Sequence, residues 1–520
     1  MQKVTRRNFV MRVGQAGGVG AAYFALQGLG LTAAMANEPA SETGVKPTDG
    51  KGVKVVVLGA GMAGLAAAYE LKKGGYDVTL LEARDRPTGR AWTIRPGDKV
   101  EQTDGDQNCE WEKGHYLNPG PARIPSHHQT ILRYIKELNV PIEVEVNASR
   151  SAYLYNKDAN GGKPMQMRAA INDTRGHVSE MLARAITKGS LDEELTGIDK
   201  EKMLAFLRQY GDLSPDLFYK GSARSGYKEY PGAADEVGVA NDPLTMNVLL
   251  DQNQWGNVLS EEGITQQATM FQPGGGIDQT GRAISKALGS SVKLMSEVKE
   301  IRRTPTGVRI VYLDRKTGKT HEILANYCVS TLALHFLNKI PNDLAKDIQE
   351  GIAEMSASTA DGTKIGFESR RFWEQDYNLY GGLSFFKSKS VQATLWTPSG
   401  GFHEKTGITV YYGSVEHGMD RPAQFELARS AWEGAFPGHG HELTKPIGVQ
   451  WSKVPWSLGA GSHFTDSTKW MYARLNQGDS PIYFAADYLA HVGQWQEGAI
   501  RSGHHAVRLI NERVLGAKPA

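Results

Sequence analysis

The chain has 520 residues, 40% of them hydrophobic and 22% charged, with a net charge of +2. That length exceeds one ordinary core, so two or three packed units are expected. The near-neutral charge is silent on nucleic acid, but no basic tract with interleaved aromatics occurs, and no nucleic-acid partner is expected.

The N-terminus reads as a targeting segment. Thr5-Arg6-Arg7-Asn8-Phe9-Val10 sits in a positive leader, Val13 to Asn37 carries no charge, and "AMA" ends at Ala36 as a small-residue cleavage site. This is the form of a signal peptide over 1–36. The arginine pair, with Phe two residues after it, resembles the twin-arginine signal read by a translocase that exports folded proteins. The alternative is an uncleaved membrane anchor, against which its glycines, Gln15 and Gln27 weigh. Residues 37–52, polar and bearing Pro and Gly, are expected to be a loose linker.

"VKVVVL" from Val53 is an uninterrupted apolar, β-branched run, as a buried parallel strand should be. "GAGMAG" follows, placing Gly59, Gly61 and Gly64 at the G-x-G-x-x-G spacing, then a helical "LAAAYELKKGG" and a second strand ending at Glu82. Gly59 suits the tight turn, Gly61 lets backbone N–H groups approach a pyrophosphate, and Gly64 lets helix and strand close up. Glu82 lies about twenty residues on, where a carboxylate accepts ribose hydroxyls. Together these predict a dinucleotide site, without separating NAD from FAD.

The next residues make that separation by resemblance. "EARDRPTGRAWT" is similar to the E-x-x-x-R-x-G-G-R segment of the flavin amine oxidases, with Arg84, Gly89 and Arg90 matching and Thr88 standing for the usual first glycine. "FQPGGGIDQTGRAISKAL" and "IYFAADYLAHVGQWQEGAIRSGHHAV" resemble two further segments of that family. The chain is therefore identified as a member, most like bacterial L-amino-acid oxidases, over about Val53 to Val507.

The resemblance implies an α/β fold: a Rossmann-like FAD-binding domain assembled from 50–125, 270–335 and 465–520, a sheet-based substrate domain within 335–465, and a helical insertion or lid over 145–265. It implies that FAD lies along Gly59, Gly61, Met62, Ala63 and Gly64, then Glu82, Ala83 and Arg84, with Gly89 and Arg90 reaching the phosphates. Ala122 and Arg123 would face the flavin, Val298 the adenine, and Asp487 the ribityl chain. Gln494, Trp495 and Ala499 would open a helix aimed at the flavin. Some family members hold flavin through a cysteine near the C-terminal segment. Only Cys109 and Cys328 occur here, so the FAD is expected to be noncovalent. A noncovalent cofactor loaded before export would explain the twin-arginine leader. Two cysteines also exclude a zinc cluster or disulfide framework; we read them as unrelated thiols, with a single bridge as the alternative.

"GPARIP" resembles the L-amino-acid oxidase segment whose arginine clamps the substrate α-carboxylate, which assigns that role to Arg123. Lys364, in "GTKIGFESRRFWE", matches the family lysine held near the flavin through a water. Tyr412, in "ITVYYGSV", matches the tyrosine that gives the carboxylate a second hydrogen bond, with Tyr411 on the opposite face. Trp495 would wall the site, while Trp373 and Trp396 are read as packing residues. The histidines form no metal-spaced set; His127-His128 and His504-His505 are adjacent pairs that point apart on a helix, and no metal is expected. The implied reaction takes an L-amino acid and O2 to a 2-oxo acid, ammonia and hydrogen peroxide. The alternatives are a tryptophan 2-monooxygenase-like enzyme that releases carbon dioxide and an amine oxidase or dehydrogenase acting on a non-carboxylate amine. A homodimer is left open.

Overall fold

The computed structural model describes residues 40–356, 359–387, 392–394, 404–416 and 418–516. The leader and Trp396 lie outside them. Among the described residues no helix is long and apolar enough to cross a membrane.

Five parallel strands form the central sheet: β1 (Lys54–Leu58), β2 (Asp77–Leu81), β3 (Val292–Lys293), β4 (Tyr327–Ser330) and β5 (Ile482–Phe484), in the order β3-β2-β1-β4-β5. Both faces of this sheet are covered, which is why β1 has no polar alternation. On one side Val55 and Val57 pack against the helices α1 (Met62–Lys73), α2 (Gln129–Glu137) and α3 (Gln496–Val514). On the other, Val56 and Leu58 meet an antiparallel meander over 296–325 and the helix Lys346–Ser356. The strands come from three distant stretches of chain, so the α/β architecture closes only when both ends of the protein are in place.

A second sheet carries Lys364 and Tyr412. Thr363–Arg370 lies at its centre, antiparallel to Thr406–Gly413 on one side and Thr444–Gln450 on the other. A small sheet joins Tyr153–Asn156 in parallel to Phe385–Lys387, with Met165–Gln166 and Gln392–Thr394 outside them. Tyr153–Asn156 and Met165–Gln166, expected within a helical lid, are thus strands of this small sheet; the β-forming "YLYN" finds its partner more than two hundred residues away. The helical part of the insertion consists mainly of Met167–Thr187 and Gly197–Gly211, which share a core of Ala183, Ile186, Leu207, Leu213 and Tyr219.

The described part of the 37–52 segment is not loose. Ser41 N donates to Thr130 Oγ1 at 2.9 Å, Arg133 donates to the Ser41 carbonyl, and Arg508 to the Glu42 carbonyl. The chain is laid along α2 and α3, its backbone polar groups satisfied by their side chains. Trp373 is buried against Phe372, with ring centroids 5.3 Å apart, in an aromatic core.

Candidate active site

The glycine loop leaves β1 with Gly59 at φ 98°, a left-handed turn that suits glycine, and hands over to α1 at Gly61. A Cβ built on Gly61 would meet nothing within 4 Å, so the backbone there faces open space. Gly64 is different. A Cβ at that position would lie 2.0 Å from the Gly59 carbonyl oxygen, so its glycine serves helix–strand contact. It stands behind the cavity that the other loop residues line. Glu82, buried at the end of β2, accepts from Ala60 N at 2.8 Å and Arg84 N at 3.0 Å, tying the two turns together. Thr88 sits at φ 81°, which explains why a glycine suits this position and marks local strain in a β-branched residue.

Arg90 and Asp487, expected to contact different parts of a cofactor, bond each other in a fork, and Arg90 also donates to the Ala460 carbonyl. A guanidinium out of water takes a carboxylate when one is adjacent. Both still line the cavity, as do Ala83, Gly89 and Val298.

The far end is built by register. Lys364 and Tyr412 are directly opposed Cα partners across the antiparallel pair, so their side chains share a face. Lys364 Nζ stands 5.0 Å from the Tyr412 ring centroid. Tyr411 points to the other face and is fully buried. Lys364 Nζ donates to the carbonyls of Asn118 at 3.0 Å and Gly120 at 2.6 Å. Burial, with the Arg123 cation nearby, holds its pKa well below that of an ordinary lysine. The Asn118 side chain is itself pinned by Thr93 Oγ1 and Ile277 N, and Trp451 Nε1 donates to the Pro119 carbonyl, so the Lys364 cradle is fixed. These backbone carbonyls carry no side-chain signature that sequence could reveal.

Arg123 enters from the loop before Ile124–Pro125, the edge of a three-stranded sheet with Met270–Pro273 and Ile142–Glu145. Its Nη2 donates to Gln266 Oε1 at 3.0 Å, and its guanidinium lies 5.9 Å from the Trp495 ring. Burial pushes its pKa down, while nearby Glu145 and Tyr412 push it up. Gln266 and Glu145 escaped sequence reading because neither falls in a recognisable local pattern. Trp495 caps α3 after a turn in which Gln494 takes φ 65°. Buried His128 meets the Trp495 ring edge-on at 5.1 Å, and Glu497 in the first turn of α3 accepts from Thr130 N and Ile131 N. The starts of α2 and α3 are thereby locked together.

One cavity of about 970 Å³ connects these ends, at the top of the roughly 300–1,000 Å³ span of ligand pockets. It runs from Gly59, Gly61, Met62 and Ala63 through Glu82, Arg84 and Arg90, past Ala122, to Arg123, Lys364 and Tyr412; Asp487, Gln494, Trp495 and Ala499 line it from the C-terminal stretch. An open glycine turn, a carboxylate at the end of the second strand and a long continuous channel fit an extended dinucleotide with room beyond it for a small substrate.

The family model described as flavin containing amine oxidoreductase matches residues 62–511. An L-amino-acid oxidase of Pseudechis australis is 26% identical over 489 residues, spanning 88% of this chain and 86% of that protein. One from Siganus canaliculatus is 25% identical over 474 residues, spanning 89% and 86%. The structure of putrescine oxidase bound to putrescine superposes with a TM-score of 0.58 at 18% identity, covering 88% of this chain and 98% of that one, which is a likeness of fold.

Proposed function

This chain belongs to the flavin containing amine oxidoreductase family, and within it we propose that the protein is an FAD-dependent L-amino-acid oxidase. The observation that carries this reading is a partly buried guanidinium, Arg123, sharing one end of the cavity with Lys364, Tyr412 and Trp495. A non-carboxylate amine has nothing for that fork to hold. An α-carboxylate accepts two parallel N–H bonds from it, and the bidentate pair orients the substrate's Cα–H as a single contact could not.

Bound FAD supplies the two-electron acceptor, and O2 returns it to the oxidised state. The chain's own groups do the rest. Arg123 binds the carboxylate and Tyr412 adds a hydroxyl donor to it. Lys364, whose charged form burial disfavours, can accept a proton or hold a water at the reacting end. Trp495 closes one wall, and a drier site strengthens each of these contacts. The net reaction is an L-amino acid, O2 and water going to a 2-oxo acid, ammonia and hydrogen peroxide.

Noncovalent flavin belongs to the same reading. The chain's two cysteines, Cys109 and Cys328, are both buried, and neither lines the cavity. Acid precipitation should leave the flavin in the supernatant; colour on the pellet would contradict this. We propose further that Arg6 and Arg7 direct export of the loaded protein, which replacement of both by Lys should block, leaving active protein in the cytoplasm. The direct test of the reaction is stoichiometry. One peroxide and one ammonia per amino acid, with no carbon dioxide, supports the oxidase; carbon dioxide with amide product supports the monooxygenase alternative.

A further inference from the structure

Gln266 ends the short turn Ile264–Gln266, where the lid segment returns to the substrate side. It lines the cavity. Its Oε1 accepts from Arg123 Nη2 at 3.0 Å, as part of a small relay. Buried Asn147 donates through Nδ2 to the Gln266 carbonyl at 3.1 Å and reaches Oε1 at 3.4 Å, while the Asn147 carbonyl accepts from Leu383 N. Asn147 thus fixes the backbone of Gln266, and the side chain alone spans to the guanidinium. The turn itself is thinly packed: Ile264 is 68% exposed and residues 267–269 are exposed. Such a segment moves at low cost to the fold.

A carboxamide oxygen is a neutral acceptor. A carboxylate offers two charged oxygens matched to the fork and is the stronger partner for the same donors. We infer that Gln266 is a place-holder on the Arg123 clamp: its amide occupies one arm of the guanidinium in the resting enzyme, yields to the substrate carboxylate, and so sets how tightly carboxylate-bearing substrates bind. This inference rests on the reading of Arg123 as the carboxylate site. It makes position 266 a specificity determinant, because the group there competes with the substrate for one donor set.

The two substitutions below pull in opposite directions, which a merely structural role would not do. Gln266→Glu puts a charged oxygen on the fork and should raise KM for L-amino acids by roughly 30-fold or more, with most of the loss in KM rather than kcat. Gln266→Met keeps the length, removes the acceptor, and should lower KM by roughly two- to tenfold. Both are measured on flavin-loaded enzyme with a panel of L-amino acids and their decarboxylated amines. If wild type prefers the acids and both variants raise KM alike, or neither moves it, Gln266 is not a competitor on the clamp. If wild type oxidises the amines and not the acids, the carboxylate reading fails first and this inference falls with it.

Discussion

The two ends of the cavity are made in different ways. The glycine end is local: Gly59, Gly61 and Glu82 fall within one strand–helix–strand unit, and Glu82 ties its two turns together by accepting from Ala60 N and Arg84 N. The Lys364 end is assembled from Arg123, Gln266, Lys364, Tyr412 and Trp495, which the chain separates by hundreds of residues and which meet only through sheet register and helix capping. The first end is made of backbone geometry, and at Gly64 it has no room for a side chain. The second is made of buried charge and tolerates change in shape while losing chemistry. Substitutions at the glycine end should therefore unfold or empty the protein, and those at the other end should leave it folded, loaded and slow.

The largest effect is expected at Gly64. A methyl group there, 2.0 Å from the Gly59 carbonyl oxygen, must push α1 off β1. Gly64→Ala should cost more than about 4 kcal/mol, the range reserved for severe steric or core defects. Purified protein should lack flavin and melt many degrees lower. A variant that keeps full flavin and Tm would show the loop to be far more pliant than its geometry.

Lys364→Met breaks the other end without the same collapse. Loss of a positioned proton acceptor typically costs about 10²–10⁴ in rate. Flavin content measured by absorbance should stay near that of wild type while kcat falls by roughly a hundredfold or more. Equal loss of flavin and activity would erase the distinction between the ends.

Acid sensitivity sharpens the comparison from beneath the Trp495 wall. Burial lowers the pKa of His128 to about 4 and that of His504 to about 3. His128 faces Glu497, which favours its charge, and His127 and Arg501, which oppose it. His504 packs near Arg133, Arg508 and Arg501, with its Nε2 2.7 Å from the Tyr134 hydroxyl. Below about pH 6.5 the unfolded chain protonates both rings while the folded chain does not, so stability falls as pH falls from about 6.5 to about 4, and for His504 to about 3. Two such protons give a slope approaching roughly 2.7 kcal/mol per pH unit. Between pH 6.5 and 5, where most carboxylates remain ionised, Tm should drop steadily, and His128→Asn with His504→Asn should flatten that drop.

The same contrast explains what could be read in advance. The parallel sheet and its phosphate turn were legible because an apolar run, three glycines and an acid lie within thirty residues. Membership of the flavin family, and with it the α/β architecture, followed from short segments that keep such local patterns. The pairing of Arg90 with Asp487 was not legible, since the residues stand 397 apart and each has a plausible partner in a cofactor. The helix–strand packing role of Gly64 was legible from its spacing, and the 2.0 Å approach of a Cβ there to the Gly59 carbonyl oxygen supplies its measure. Tyr153–Asn156 looks like part of an insertion until Phe385–Lys387 arrives beside it. Gln266 shows nothing in its neighbours and acquires meaning only from Arg123.

Arg123→Ala tests the carboxylate clamp most directly. Charged hydrogen bonds of this kind contribute roughly 1.5–3 kcal/mol each. Losing the pair should lower kcat/KM for an L-amino acid by roughly a hundredfold or more, while leaving oxidation of the matching decarboxylated amine and the bound flavin little changed. The quantity to measure is the ratio of the two activities on flavin-loaded enzyme. A fall of that ratio by two orders of magnitude is the predicted result; an unchanged ratio with flavin still bound would contradict the clamp and leave an oxidase of plain amines.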